Sequence, residues 1–168
     1  MIPSILKNMN AFVDGRGYAG RIESTTPPKL TRKMEEFRGG GMDAPIELDM
    51  GHEKLETTMN FAEHDPELLK LWGVTNHSAV AFQLRGAMQR DSDGSVIPVI
   101  VDLRGRFREI DPGDWKPGEK ASMVASVAAS YYRLRMNNDT IIEIDVPNMK
   151  CIVDGVDLLA AQRQALGV

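Results

Sequence analysis

AVAFQLRGAMQRDSDGSVIPVIVDLRGRFREI, residues 79–110, decides the fold, because it reads as two long strands joined by one tight turn. Val80, Phe82, Leu84, Gly86 and Met88 alternate with Ala81, Gln83, Arg85, Ala87 and Gln89, the two-residue period of a strand with unlike faces. The second arm sets Ile97, Val99, Val101, Leu103 and Phe107 against Asp102, Arg104, Arg106 and Arg108. Between the arms, Asp91-Ser92-Asp93-Gly94 supplies the turn residues of a hairpin. Two strands alone are marginal in water, so further strands or partner chains must cover the apolar face.

Working outward, Met9, Ala11 and Val13 alternate up to a turn at Asp14-Gly15-Arg16-Gly17, and the pattern resumes through Tyr18, Gly20 and Ile22. Pro27-Pro28 enforces extended backbone, after which Leu30, Arg32 and Met34 oppose Thr31, Lys33, Glu35 and Phe37 in a weakly amphipathic strand suited to an edge or an interface. Gly39-Gly40-Gly41, followed by Met42-Asp43-Ala44-Pro45, is a flexible break whose ordering costs entropy, which marks it for ordering on a partner. Ile46, Leu48 and Met50, then Leu55, Thr57, Met59 and Phe61, give two more strands. Asp65-Pro66-Glu67 opens a helix of about two turns that Gly73 stops.

Beyond the turn-rich loop 111–120, the run Met123 to Met136 is expected to carry Val124, Ala128, Tyr132, Leu134 and Met136 on one face and Met123, Val127, Tyr131, Arg133 and Arg135 on the other. Asn137-Asn138-Asp139 turns the chain into strands at Thr140 to Val146 and Met149 to Val153. A second helix, Leu158 to Leu166, is expected with Asp157 as its cap. The expectation is a mainly β, antiparallel single domain of eight to ten strands with two short helices.

The totals fit one domain of 168 residues with a net charge of −4, without the basic excess of a dedicated nucleic-acid binder. A lone cysteine, Cys151, rules out an internal disulfide and a cysteine-based zinc site. No signal-peptide pattern and no bilayer-length apolar stretch is visible, so secretion by a leader and membrane insertion are not expected. His52, His64 and His77 have no ligand spacing, and Asp111 and Asp114 read as turn formers rather than a carboxylate pair. The glycine run lacks the following Lys-Ser or Lys-Thr of a phosphate loop. The reading is therefore of a protein with no catalytic residues, no metal and no cofactor. Arg85, Arg104, Arg106 and Arg108 could form a basic strip for single strands, but stacking aromatics are missing from it, and a salt-bridged protein interface that pairs them with carboxylates such as Asp102, Glu109 or a neighbour's Glu is the better expectation.

Several stretches carry a family resemblance: Pro28 to Lys33, the Arg38 to Pro45 loop, Leu103 to Lys120 (LRGRFREIDPGDWKPGEK), Ser130 to Leu134, Glu143 to Asp145 and Asp154 to Leu159. Together they resemble the major tail tube proteins of P2-type contractile phages and R-type pyocins, across nearly the whole chain. The resemblance implies a β-sandwich or barrel-like subunit in which an N-terminal arm (1–8), an inter-ring loop (about 38–52) and a C-terminal helix (about 157–167) flank the domain. It further implies homo-hexameric rings stacked into a hollow tube inside a sheath, with baseplate and tape-measure proteins at its ends and, in a phage, DNA passing without specific binding. Assembly in the bacterial cytoplasm, within a virion tail or bacteriocin particle, goes with it. Under this reading Gly39, Gly40, Gly41, Met42, Asp43 and Pro45 are inter-ring contacts. Gln83, Arg85, Gln89, Asp102 and Arg104 face the lumen or a neighbour, and Glu63, Asp65 and Glu67 meet the sheath. The alternatives are a ring protein of a related machine, such as a type VI secretion tube, and a monomeric ligand-binding β-barrel, whose pocket would need apolar lining where these strands carry charge.

Overall fold

The computed structural model describes residues 2–168. Among the described residues there are twelve strands, more than the eight to ten expected, because two of them are only two residues long. In chain order they are β1 (Ser4–Val13), β2 (Arg16–Gly17), β3 (Ile22–Thr26), β4 (Arg32–Phe37), β5 (Ile46–His52) and β6 (Leu55–Phe61), then β7 (Val80–Arg90), β8 (Val96–Asp111), β9 (Met123–Met136), β10 (Asp139–Asp145), β11 (Lys150–Val153) and β12 (Val156–Asp157). Helix α1 (Pro66–Lys70), continued by a 3₁₀ turn Leu71–Gly73, lies between β6 and β7, and α2 (Ala160–Leu166) ends the chain. Residues 4–8, read from sequence as part of an arm, belong to β1 and pair with β7. Met1, the first residue of that arm, lies outside the described residues.

All pairings are antiparallel, and ten strands form one sheet, eight of them in the order β12-β11-β10-β9-β8-β7-β1-β2. The hairpin read at 79–110 is its centre: Val80 faces Gly105 and Gln89 faces Val96. A branch leaves the sheet at β9, whose residues 123–129 pair with β6 while residues 131–136 pair with β10. Strand β3 then extends the branch beyond β6. Ala11, Val13, Phe82 and Leu84 share one core with Leu55, Met59 and Phe61 of the branch, so the sheet curls over itself into two layers.

The curl is made by bulges, which explains why β9 departs from the simple alternation expected of it. Arg104 pairs with Tyr131 but the next residue, Gly105, pairs with Ala129, leaving Ser130 as an extra residue. The buried positions of β9 therefore switch from Met123, Ala125 and Val127 to Tyr132. Gly105 is required there: a Cβ at that position would lie inside contact distance of the Ala128 carbonyl. Edge-to-face pairs Tyr18–Phe61 and Phe82–Phe107, with ring centroids 5.2 and 5.3 Å apart, fill the space between the layers.

Asp65 caps α1 as its spacing predicts, accepting from the Glu67 amide at 3.0 Å, and Leu68 is fully buried beneath it. At the other helix the expectation needs correction. Helix α2 begins two residues later than read, Leu159 occupies the cap position, and Asp157 accepts the Leu159 amide at 3.1 Å while pairing with Arg163. Both oxygens of Asp157 are thus used to tie the helix to its own entry turn rather than to start it.

Candidate functional site

Most of the residues singled out by sequence lie on two surfaces, and an acidic group stands apart at α1. The first is a free-standing hairpin of β4 and β5, which pair only with each other. Every residue of both strands is exposed. Phe37 faces Ile46, Glu36 faces Glu47, Glu35 faces Leu48 and Met34 faces Asp49. Because directly opposed residues share a face, Phe37, Ile46 and Leu48 line one side together with Met50 and Glu35, while Glu36, Glu47 and Asp49 line the other with Met34. The apolar side remains 51%, 48%, 43% and 53% exposed at Phe37, Ile46, Leu48 and Met50. On the opposite side the facing pair Glu36 and Glu47 repel, a cost that a basic partner would remove.

The tip of this hairpin holds Gly39, Gly40, Gly41, Met42, Asp43 and Pro45. It is closed by its own hydrogen bonds, from the Met42 amide to the Gly39 carbonyl at 3.2 Å and from Arg38 Nε to the Met42 carbonyl at 3.1 Å. Gly41, at φ 83°, makes the reversal that a side chain would strain. Reading the tip as a flexible break overlooks the strand pairing across it, although two amphipathic runs flanking a glycine turn are its signal.

The second surface is the polar face of β7 to β10. Gln83, Asp102, Arg133 and Glu143 stand in direct cross-strand register, with Phe12 of β1 completing the row. Asp102 is its hub. Its Oδ1 accepts Gln83 Nε2 at 2.6 Å, and its Oδ2 accepts Arg133 Nε and Nη2 at 3.1 and 3.0 Å and Arg135 Nε at 3.1 Å. Tyr131 donates to Glu143 at 3.0 Å, and Arg85 donates to Gln83 Oε1 at 2.6 Å while lying over the Phe12 ring. Burial alone raises the Asp102 carboxyl, but the bonds from Gln83 and Arg133 and the two guanidinium charges outweigh it and hold it below the ordinary aspartate range. A shallow hollow of 490 Å³ lies over this row, with Arg104 and Arg133 in its wall.

Of the pairing expected for the β8 arginines, a carboxylate partner is found at Arg108, while Asp102 goes to arginines of another strand. Asp102 is taken by Arg133 and Arg135 from the next strand, Arg108 pairs with Glu56, and Arg106 donates to the Thr75 carbonyl. Gln89 stands apart from the row and donates to Gly94 within its own turn at 3.2 Å.

The acidic group at α1 divides similarly. Asp65 has a side chain only 12% exposed, and the Tyr18 hydroxyl beside it, with the Glu67 amide, holds its carboxyl below the usual range. Burial and that same carboxylate push the Tyr18 phenol up. Glu63 pairs with Arg21 at 3.1 Å and Glu67 with Lys70 at 2.7 Å, both at the surface.

The three histidines are spread over the molecule. His64 bonds the Pro112 carbonyl at 3.1 Å, and His52 lies 3.6 Å from Cys151 Sγ, whose thiol burial pushes up. Among the described residues no group of three His, Cys, Asp or Glu side chains could hold a metal ion, and no helix is long and apolar enough to cross a membrane.

The profile of the family described as phage tail tube protein FII matches residues 3–167. The chain is 39% identical over 170 residues to the tail tube protein of Escherichia phage P2, covering 99% of each. It is 33% identical over 159 residues to the major tail tube protein of Serratia phage KSP20, covering 94% of this chain and 91% of that one. In fold it is similar to a chain of the sheath/tube terminator of an extracellular contractile injection system, with a TM-score of 0.59 at 8% identity, covering 81% of this chain and 97% of that one.

Proposed function

The chain belongs to the phage tail tube protein FII family, and from that premise we propose that its copies close into hexameric rings stacked as a hollow tube within a sheath. It is a structural tail tube protein of a contractile phage tail. The observation that carries the assembly reading is the hairpin β4–β5, an amphipathic two-stranded sheet that its own subunit leaves uncovered. A surface of this kind needs a second layer, and in a tube of identical pieces a neighbouring copy supplies it.

Ring closure uses the sheet itself. On the side away from β7, β1 pairs with β2 at Phe12 and Val13 and its Ala11 carbonyl accepts the Tyr18 amide, so the edge offered to a neighbour is residues 4–10, where the Asn8 side chain holds the Met9 amide. Joining that edge to the far edge of a neighbour's sheet removes both edges at once. The face carrying Gln83, Arg85, Asp102 and Arg104 then lines the channel, and Gln89 sits at its rim. The tip from Gly39 to Pro45 contacts the next ring. Glu63 and Glu67, with Asp65 fixing the helix beneath them, face the sheath. Baseplate and tape-measure proteins bound the tube, and DNA crosses it without specific binding. Assembly takes place in the bacterial cytoplasm, and the work done is mechanical rather than catalytic.

Electron microscopy and a sedimentation series on the purified protein test this reading. The expected result is concentration-dependent rings or tubes with sixfold end views; a strictly monomeric species, even with baseplate and tape-measure initiators present, overturns it.

A further inference from the structure

An arginine fork matches a phosphate group in charge and in geometry, so a channel face bearing several arginines invites a polyanion to stick. Two of the arginines on this face are already engaged. Arg133 presents Nε and Nη2 to Asp102 at 3.1 and 3.0 Å, and Arg135 presents Nε and Nη2 to the same carboxylate at 3.1 and 2.8 Å. The edge of each guanidinium that would grip a phosphate is therefore turned onto Asp102. Gln83 holds the other carboxylate oxygen, and the Asp102 side chain is only 16% exposed. Glu143, in register with Arg133 on the following strand, brings a second carboxylate to the row. Two arginines and two carboxylates thus stand together on three adjacent strands.

We infer that Asp102 sets the affinity of this face for a polyanion such as nucleic acid, by occupying the guanidinium forks of Arg133 and Arg135 so that a passing phosphate backbone finds no open site there. The inference rests on the reading that this face lines the channel. Stacked identical copies repeat whatever one subunit presents, and polyanion affinity rises with each added phosphate contact, so one carboxylate per subunit has a large summed effect.

The test uses assembled tubes carrying Asp102→Asn, which keeps the shape and a bond to Gln83 but removes the charge. Retention of a fluorescent linear DNA fragment by pelleted tubes is expected to rise by about tenfold or more at ~0.1 M salt, with a steeper fall of log affinity against log salt. Adding Arg133→Gln and Arg135→Gln together to Asp102→Asn should return retention to the wild-type level. Equal retention by wild-type and Asp102→Asn tubes overturns the inference. If Asp102→Asn does not assemble, the comparison is made on lone subunits, where the face is open: increased retention supports the inference and unchanged retention overturns it. The channel reading is tested separately with Arg104→Cys in a Cys151→Ala background. Labelling in intact tubes by a small maleimide but not by a maleimide on a large polyethylene glycol supports it, and labelling by both overturns that reading whatever the DNA result.

Discussion

The hairpins β7–β8 and β4–β5 are built on the same alternation and meet opposite fates. In β7–β8 the inward residues Val80, Phe82, Leu84, Val101, Leu103 and Phe107 are buried against β1, the β6 branch and one another. In β4–β5 the equivalent face of Phe37, Ile46, Leu48 and Met50 stays in solvent. Alternation determines which side chains share a face, but burial requires a second layer, and the subunit builds that layer for only one hairpin. The embedded hairpin therefore carries the stability of the fold, and the free one is kept for contacts beyond the subunit.

That division predicts a graded series of effects. Gly105→Ala should be the most damaging, because the added Cβ meets the Ala128 backbone at the bulge that curls the sheet. A loss of more than about 3 kcal/mol in denaturant unfolding, or failure to fold, is expected. Phe82→Ala, which empties a site 1% exposed and removes the contact with Phe107, should cost about 3–5 kcal/mol in the same measurement.

Asp65→Ala should cost about 1 kcal/mol through the lost helix cap. Its effect has a defined pH window. The folded-state pKa of Asp65 is depressed, so its contribution is fully present above the unfolded value of about 3.9 and is lost as pH falls through the lower folded value. Acid unfolding curves of wild type and Asp65→Ala should therefore converge at low pH and separate above it. Phe37→Ser should change the stability of the lone subunit by less than about 0.5 kcal/mol, since the ring it removes packs on nothing that holds the fold together. A loss as large as that of Phe82→Ala would erase the contrast between the hairpins.

Much of this arrangement is legible in the sequence. The β7–β8 pair, its turn, the Asp65 cap and the wet row at Gln83 and Asp102 follow from period and turn chemistry. The parity switch in β9 is not legible, because a bulge is set by the tertiary curl and leaves only the small residues Gly105, Ala128, Ala129 and Ser130 as a trace. Partner choice is likewise hidden: Asp102 has arginines nearby in its own strand, yet register delivers Arg133 and Arg135 from β9. The free hairpin was readable as two weakly amphipathic runs, but its isolation depends on what the rest of the chain fails to cover, and that is a property of the whole fold.

The central claim is that β4–β5 is dispensable for folding and required for assembly. The measurement that tests it most directly takes a chain in which Phe37, Ile46 and Leu48 are all changed to Ser, and follows it by sedimentation and electron microscopy beside its thermal unfolding curve. The account predicts a folded monomer with a wild-type unfolding midpoint and no tubes; tubes formed as readily as by the wild-type protein would contradict it.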